Sequence, residues 1–191
     1  MSCITTFTGL EFDPVRPEAD RIEIRDIAHA LSMICRGNGH VRSFWSVGQH
    51  CIACAKEAEA RGLGRRMVLA CLLHDAGECY LSDVPRPFKQ EMPRYRELEE
   101  ELMRLIYVKF LGSDLTEQER RLVKEIDDAL LWYDLKYLLG QEPGGEAPEV
   151  HIDVDFSVRA FADVEREYLE MFGRCSGYNR EECKCEAHTL L

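Results

Sequence analysis

The stretch Met67-Val-Leu-Ala-Cys-Leu-Leu-His74-Asp75 decides the fold. Met67 to Leu73 is apolar without interruption, which is too short to cross a membrane and leaves no polar stripe. Such a segment reads as a helix enclosed by protein on every side, so other helices must surround it. It then ends on an imidazole and a carboxylate. Burying an unpaired carboxylate is very costly, so Asp75 must be paired, hydrogen-bonded or bound to a cation. A nitrogen and an anionic oxygen together suit a borderline or hard divalent ion. Adjacent helical residues point about 100° apart, and both can reach one ion lying between their directions near a helix end. A core histidine beside a helix-terminal aspartate fits the dipeptide alone equally well.

Working outward, the enclosing helices have recognisable starts and stops. Asp26 is placed to cap a short helix, Ile27 to Cys35, which stops at Arg36-Gly37. Ser46 with Gln49 has the form of a capping box and opens a helix from Val47 to about Arg61, closed by Gly62 and Gly64. Pro85 and Pro87 mark a loop or broken turn, and Pro93 to Leu111 is helical with one charged side. Thr116 with Glu119 forms a second capping box, opening a helix to about Leu139. Asp155 is placed to cap a last helix whose apolar stripe is Val158, Phe161, Ala162, Tyr168, Leu169 and Phe172. Residues 3–12 alternate loosely and suggest a short strand pair before Pro14. The expectation is an all-α, single-domain bundle of about six helices: an N-terminal extension (1–25), a helical core (26–139), an acidic Pro/Gly loop (140–155), a C-terminal helix packed on the core (156–174) and a tail (175–191).

Bulk composition agrees. At 191 residues with 46% apolar content the chain suits one sizeable core. A net charge of −11 disfavours binding of duplex nucleic acid but leaves room for a small phosphorylated ligand, which needs only a few local cations. No basic, apolar leader and no membrane-length apolar run is present. The nine cysteines therefore read as reduced thiols of a cytoplasmic protein, with Cys35, Cys51, Cys54 and Cys71 inside helical patterns.

Three further residues gather around the His74-Asp75 anomaly. Glu78 lies four residues after His74 and three after Asp75, on the same face of any continuing helix, where a carboxylate can orient or deprotonate water. Asp127 has Val123, Leu130 and Leu131 as helical neighbours and points into an apolar stripe, whereas Asp128 neighbours Lys124, Glu125 and Trp132. Asp134 also lies near that stripe, and periodicity does not choose between it and Asp127. His50 falls in the first turn of its helix, after Trp45-Ser-Val-Gly-Gln49.

In order along the chain, His50, His74-Asp75 and Asp127 resemble the H…HD…D signature of the HD-domain superfamily of metal-dependent phosphohydrolases. Asp26-Ile-Ala-His-Ala-Leu-Ser-Met-Ile-Cys-Arg36, Gly39-His40, Phe44-Trp-Ser-Val-Gly-Gln-His50 and His74-Asp-Ala-Gly-Glu-Cys-Tyr-Leu-Ser-Asp83-Val-Pro-Arg-Pro-Phe-Lys89 are similar to its 5′-deoxynucleotidase-like branch and phage relatives. The resemblance spans residues 4–139. It implies an HD-type helical core in which His50, His74, Asp75 and Asp127 hold one divalent ion (manganese, cobalt, magnesium, iron, nickel or zinc). It also implies that Glu78 helps activate water, that Asp83 contacts a sugar, and that Arg36 faces phosphate. Gln49 departs from the acidic residue that often precedes the ligand histidine. No histidine lies between Asp75 and Asp127, which fits one metal better than two.

The function expected is hydrolysis of a small phosphomonoester, such as a nucleoside or deoxynucleoside 5′-monophosphate, by a protein that could form a homodimer. Arg36, Arg42, Trp45 and Lys89 are the candidate substrate contacts, with Glu78 and Asp83 as catalytic residues. The alternative is a regulatory module that binds nucleotide and metal without turnover. Cys51 and Cys54 read as core packing. Cys175, Cys183, Cys185 and His188 read as a tail with reduced thiols, with zinc ligation as the alternative. His29 and His40 are candidates for lining the pocket or supporting the loop, and His151 has no assigned role.

Overall fold

The computed structural model describes residues 3–177. Its elements run β1 (Ile4–Thr5), β2 (Glu11–Phe12), α1 (Ile24–Met33), α2 (Val47–Ala60), α3 (Arg65–Leu73), α4 (Glu78–Leu81), α5 (Arg86–Gln90), α6 (Pro93–Leu111), α7 (Glu117–Tyr137) and α8 (Phe161–Ser176). Helix dominates, and the two strands pair antiparallel with Ile4 opposite Phe12 and Thr5 opposite Glu11. Among the described residues no helix is long and apolar enough to cross a membrane. Cys183, Cys185 and His188 lie outside the described residues.

α3 is the enclosed helix: Val68 to Leu73 are all buried, and α2, α6, α7 and α8 pack around it. Each fully buried Leu in such a helix contributes about 1.5–3 kcal/mol from removal of apolar surface from water. Both capping boxes form. Ser46 Oγ accepts the Gln49 N–H while Gln49 Oε1 accepts the Ser46 N–H, each at 3.2 Å, and Thr116 and Glu119 do the same at the start of α7. α8 lies against α1, α2 and α3, and its Tyr168 hydroxyl donates to the Leu72 carbonyl at 2.7 Å.

Several boundaries differ from expectation. α1 begins at Ile24, and Asp26 does not cap it. Asp26 sits buried in the first turn and accepts the N–H (2.7 Å) and hydroxyl (2.9 Å) of Thr8, which ties the strand hairpin to the helix. Asp155 makes a local turn by accepting the Ser157 N–H at 2.9 Å, so the last helix starts later, after Ala160. The Pro85-Pro87 stretch carries a short helix, α5, with Pro87 in its first turn, where a missing N–H has no cost.

Candidate metal centre

The end of α3 sets the centre. His74 is the C-cap that follows Leu73, and its Nδ1 is 2.7 Å from the Cys71 carbonyl. That contact requires the proton on Nδ1 and leaves the Nε2 lone pair directed outward from the helix. Nε2 is buried, has no hydrogen-bond partner among the described residues, and lies 3.2 Å from Asp75 Oδ2 and 3.7 Å from Asp127 Oδ1. His50, fully buried on α2, brings its Nε2 to 3.0 Å from the same Asp127 oxygen. The rings of His50 and His74 are 5.2 Å apart between centroids. Two imidazole nitrogens and two carboxylates, from α2, the α3 terminus and α7, thus converge on one point. The separations of 3.0–3.7 Å match the edges of a coordination shell with bonds of about 2.0–2.2 Å. His50, Cys54 and His74, and likewise Cys51, His74 and Asp75, form groups that could hold a metal ion; of the two aspartates left open by the sequence, Asp127 is the one whose oxygen faces Nε2 of both histidines.

Asp134, one helical turn pair further along α7, stands behind. Its Oδ2 is 3.1 Å from Nδ1 of His50 and accepts from Arg36 at 3.1 Å. Asp134 thus sets a carboxylate beside the far nitrogen of His50, where relatives of this motif place an acidic neighbour, although that nitrogen makes no hydrogen bond among the described residues. Gln49 instead closes the capping box and donates to the Ser157 carbonyl at 3.2 Å.

Charge is balanced within the cluster. Burial alone would raise Asp75, but His74 and Arg36 hold its carboxyl at about 2. Burial likewise opposes the ionised form of Asp127, yet its hydrogen bond with His50 and the His74 imidazole facing it keep it far below the usual carboxylate range. The Arg36 guanidinium, 3.5 Å from Asp75, stays firmly protonated against burial because Asp134, Asp75 and Asp127 face it. Glu78 goes the other way: burial, Asp75 and Asp83 push it well above the ordinary value, and its Oε2 is buried without a partner.

Two cavities open onto the cluster. One, about 340 Å³, is lined by His74, Glu78, Met103, Tyr107, Arg120 and Asp127 among others. The second, about 250 Å³, is lined by Arg36, Asp83, Arg86, Leu131 and Leu135 and shares Asp75, Glu78 and Asp127 with the first. Arg36 and Asp83 thus share the second cavity with Asp75, Glu78 and Asp127. Trp45, Arg42 and Lys89 line neither cavity. Trp45 is 1% exposed and donates its indole N–H to the Asp155 carbonyl at 3.2 Å, so it braces His50 edge-on and cannot contact substrate. Arg42 lays its guanidinium over Gly140, and its N–H bonds the Leu138 carbonyl at 2.8 Å. Lys89 is committed to Glu99 at 2.6 Å.

Sequence reasoning missed Arg86, whose guanidinium is 3.9 Å from Asp127 and 3.5 Å from Asp128. The only local sign was an arginine set between two prolines after Asp83. It also missed the α6 wall of Met103 and Tyr107, for which the sequence offers no sign beyond an apolar helical face. His29 is not a pocket residue: it stacks on Phe7 and its Nδ1 is 3.0 Å from Glu165. His40 is exposed and lines neither cavity. His151 meets the buried Glu57 through both its N–H (2.7 Å) and its Nδ1 (2.9 Å).

Fold and site define a mostly helical domain with a buried histidine–aspartate cluster able to hold a metal ion. The chain is 38% identical over 110 residues to Uncharacterized protein YfdR of Escherichia coli K12, covering 58% of this chain and 59% of that one. It is 35% identical over 127 residues to Uncharacterized protein RCAP_rcc00048 of Rhodobacter capsulatus, covering 63% and 64%. The matches thus span about three fifths of each relative, and neither name states an activity. No protein-family model matches the chain.

Proposed function

We propose that the protein is a metal-dependent phosphomonoester hydrolase of the HD type acting on nucleoside or deoxynucleoside 5′-monophosphates or related small phosphates. The observation that carries this reading is the convergence of His50, His74, Asp75 and Asp127 on one point with Glu78 buried beside it. A divalent ion held there supplies Lewis acidity, making water more acidic and offsetting phosphoryl charge. Glu78 orients the attacking water and accepts its proton; a carboxylate raised by burial is a stronger base than an exposed one. Arg36, held by Asp134 and Asp75, and Arg86, on the outer side of the same cavity, bind the remaining phosphate oxygens. Asp83, lining that cavity, accepts from a sugar hydroxyl.

The test is phosphate release by the metal-free chain supplemented with Mn²⁺, Co²⁺ or Mg²⁺ across a panel of nucleoside monophosphates. Release from one or more with a metal requirement supports the reading. Calorimetric binding of nucleotide and metal with no product over hours would leave the regulatory module as the function.

A further inference from the structure

Cys54 lies one helical turn after His50 on α2, and it is 1% exposed. Its Sγ is 3.6 Å from Nε2 of His50, the nitrogen that faces Asp127. The donor atoms of His50, Cys54 and His74 all lie within 4.8 Å of one another, so Cys54 groups with both imidazoles, whereas Cys51 groups with His74 and Asp75 but not with His50. An ion bonded to nitrogen at about 2.05 Å and to sulfur at about 2.3 Å in tetrahedral geometry separates the two donors by roughly 3.6 Å. In the metal-free chain the same spacing serves a Cys54–His50 hydrogen bond, which an ion would replace. The buried Nε2 of His74, without a hydrogen-bond partner among the described residues, independently marks this point as one built for a ligand.

We propose that Cys54 is a further ligand position, giving the centre two overlapping donor sets. The oxygen-rich set is His50, His74, Asp75 and Asp127. The sulfur-containing set is His50, Cys54 and His74, and it takes a thiophilic borderline or soft ion such as zinc, cobalt or cadmium, whereas magnesium and manganese keep to the oxygens. On binding, the Cys54 S–H bond breaks, an S–metal bond forms and the proton leaves to solvent, with no change of oxidation state. This inference rests on the reading that His50 and His74 hold a metal.

Titration of the metal-free full chain with Co²⁺, followed by absorption spectroscopy and calorimetry, tests it. The expected result is a thiolate-to-cobalt charge-transfer band in the near ultraviolet, retained in Cys51→Ala and lost in Cys54→Ala. Cys54→Ser, which keeps the size of the side chain, must lose it as well. Zinc affinity is expected to fall about tenfold or more in Cys54→Ala while Mn²⁺ affinity is unchanged. Stoichiometric cobalt binding without the band, or a band that survives Cys54→Ala, overturns the role of Cys54 and leaves the metal centre standing. Absence of any cobalt, zinc or manganese binding overturns both.

Discussion

The Oδ2 atom of Asp134 is 3.1 Å from Nδ1 of His50 and 3.1 Å from the Arg36 guanidinium, so one buried oxygen holds a candidate phosphate contact and stands beside a candidate metal ligand. Asp134→Asn is expected to weaken Mn²⁺ binding about 10- to 100-fold by calorimetry, the usual effect of removing a group that supports a ligating histidine. It should also destabilise the metal-free fold by about 1–3 kcal/mol, because the Arg36 guanidinium loses one carboxylate while keeping Asp75. Unchanged metal affinity with lowered stability would restrict Asp134 to holding Arg36.

Glu78 makes no hydrogen bond that holds the fold through its buried Oε2. Glu78→Gln should therefore fold normally and bind Mn²⁺ within a few-fold of the parent, while phosphate release falls about 10²- to 10⁴-fold. Full turnover in this variant would remove the proton-accepting role.

Arg86 is exposed and reaches the cavity from its outer side. Arg86→Ala should raise KM about tenfold with little change in kcat, the signature of binding that is equal in ground and transition states. Arg36→Ala should depress kcat as well, since Arg36 also touches Asp75 and His50. Steady-state kinetics on the same substrate separates the two arginines.

Gly48 sits where α2 crosses α1. A Cβ there would stand 3.1 Å from the Leu31 carbonyl oxygen and 3.2 Å from the Ser32 nitrogen, both backbone atoms. Gly48→Ala must push the helices apart just before His50, at a cost of about 1–3 kcal/mol. Denaturant unfolding measures that loss, and a stability equal to the parent's would show that the crossing has slack.

The second capping box gives a pH signature. Glu119 accepts from Arg66 at 2.7 Å and from the Thr116 N–H at 2.8 Å, and these bonds lower its carboxyl to about 2. A carboxylate lowered in the folded state stabilises fully above its unfolded pKa of about 4.3, and that stability is lost as pH falls towards 2. The stability gap between the parent and Glu119→Gln, measured by urea unfolding, should shrink steadily over that window. Thr116→Ala should cost about 1 kcal/mol at neutral pH.

What could be read from sequence was what is local. The all-apolar run Met67–Leu73 foretold the central helix, and both capping boxes foretold their helices, because each signal is complete within a few residues. Asp26 and Asp155 misled for the converse reason. Both have the chemistry of a cap, but Thr8 claims the first from outside its helix and Ser157 holds the second in a turn before the helix begins. His74 and Asp75 were legible as polar residues closing an apolar run, whereas periodicity left Asp127 and Asp134 open and His50 stood out only through the resemblance. The partnership of Arg36 with Asp134 joins positions 98 apart, and no periodicity records it. Trp45 was misplaced as a substrate contact because an aromatic residue near a site looks the same in sequence whether it faces the cavity or the core.

Asp75, Glu78 and Asp127 form a shared partition between the two cavities. A molecule filling the arginine-lined side therefore meets only one face of those three acids, and a bulkier side chain at Met103 should crowd their other face without touching that molecule.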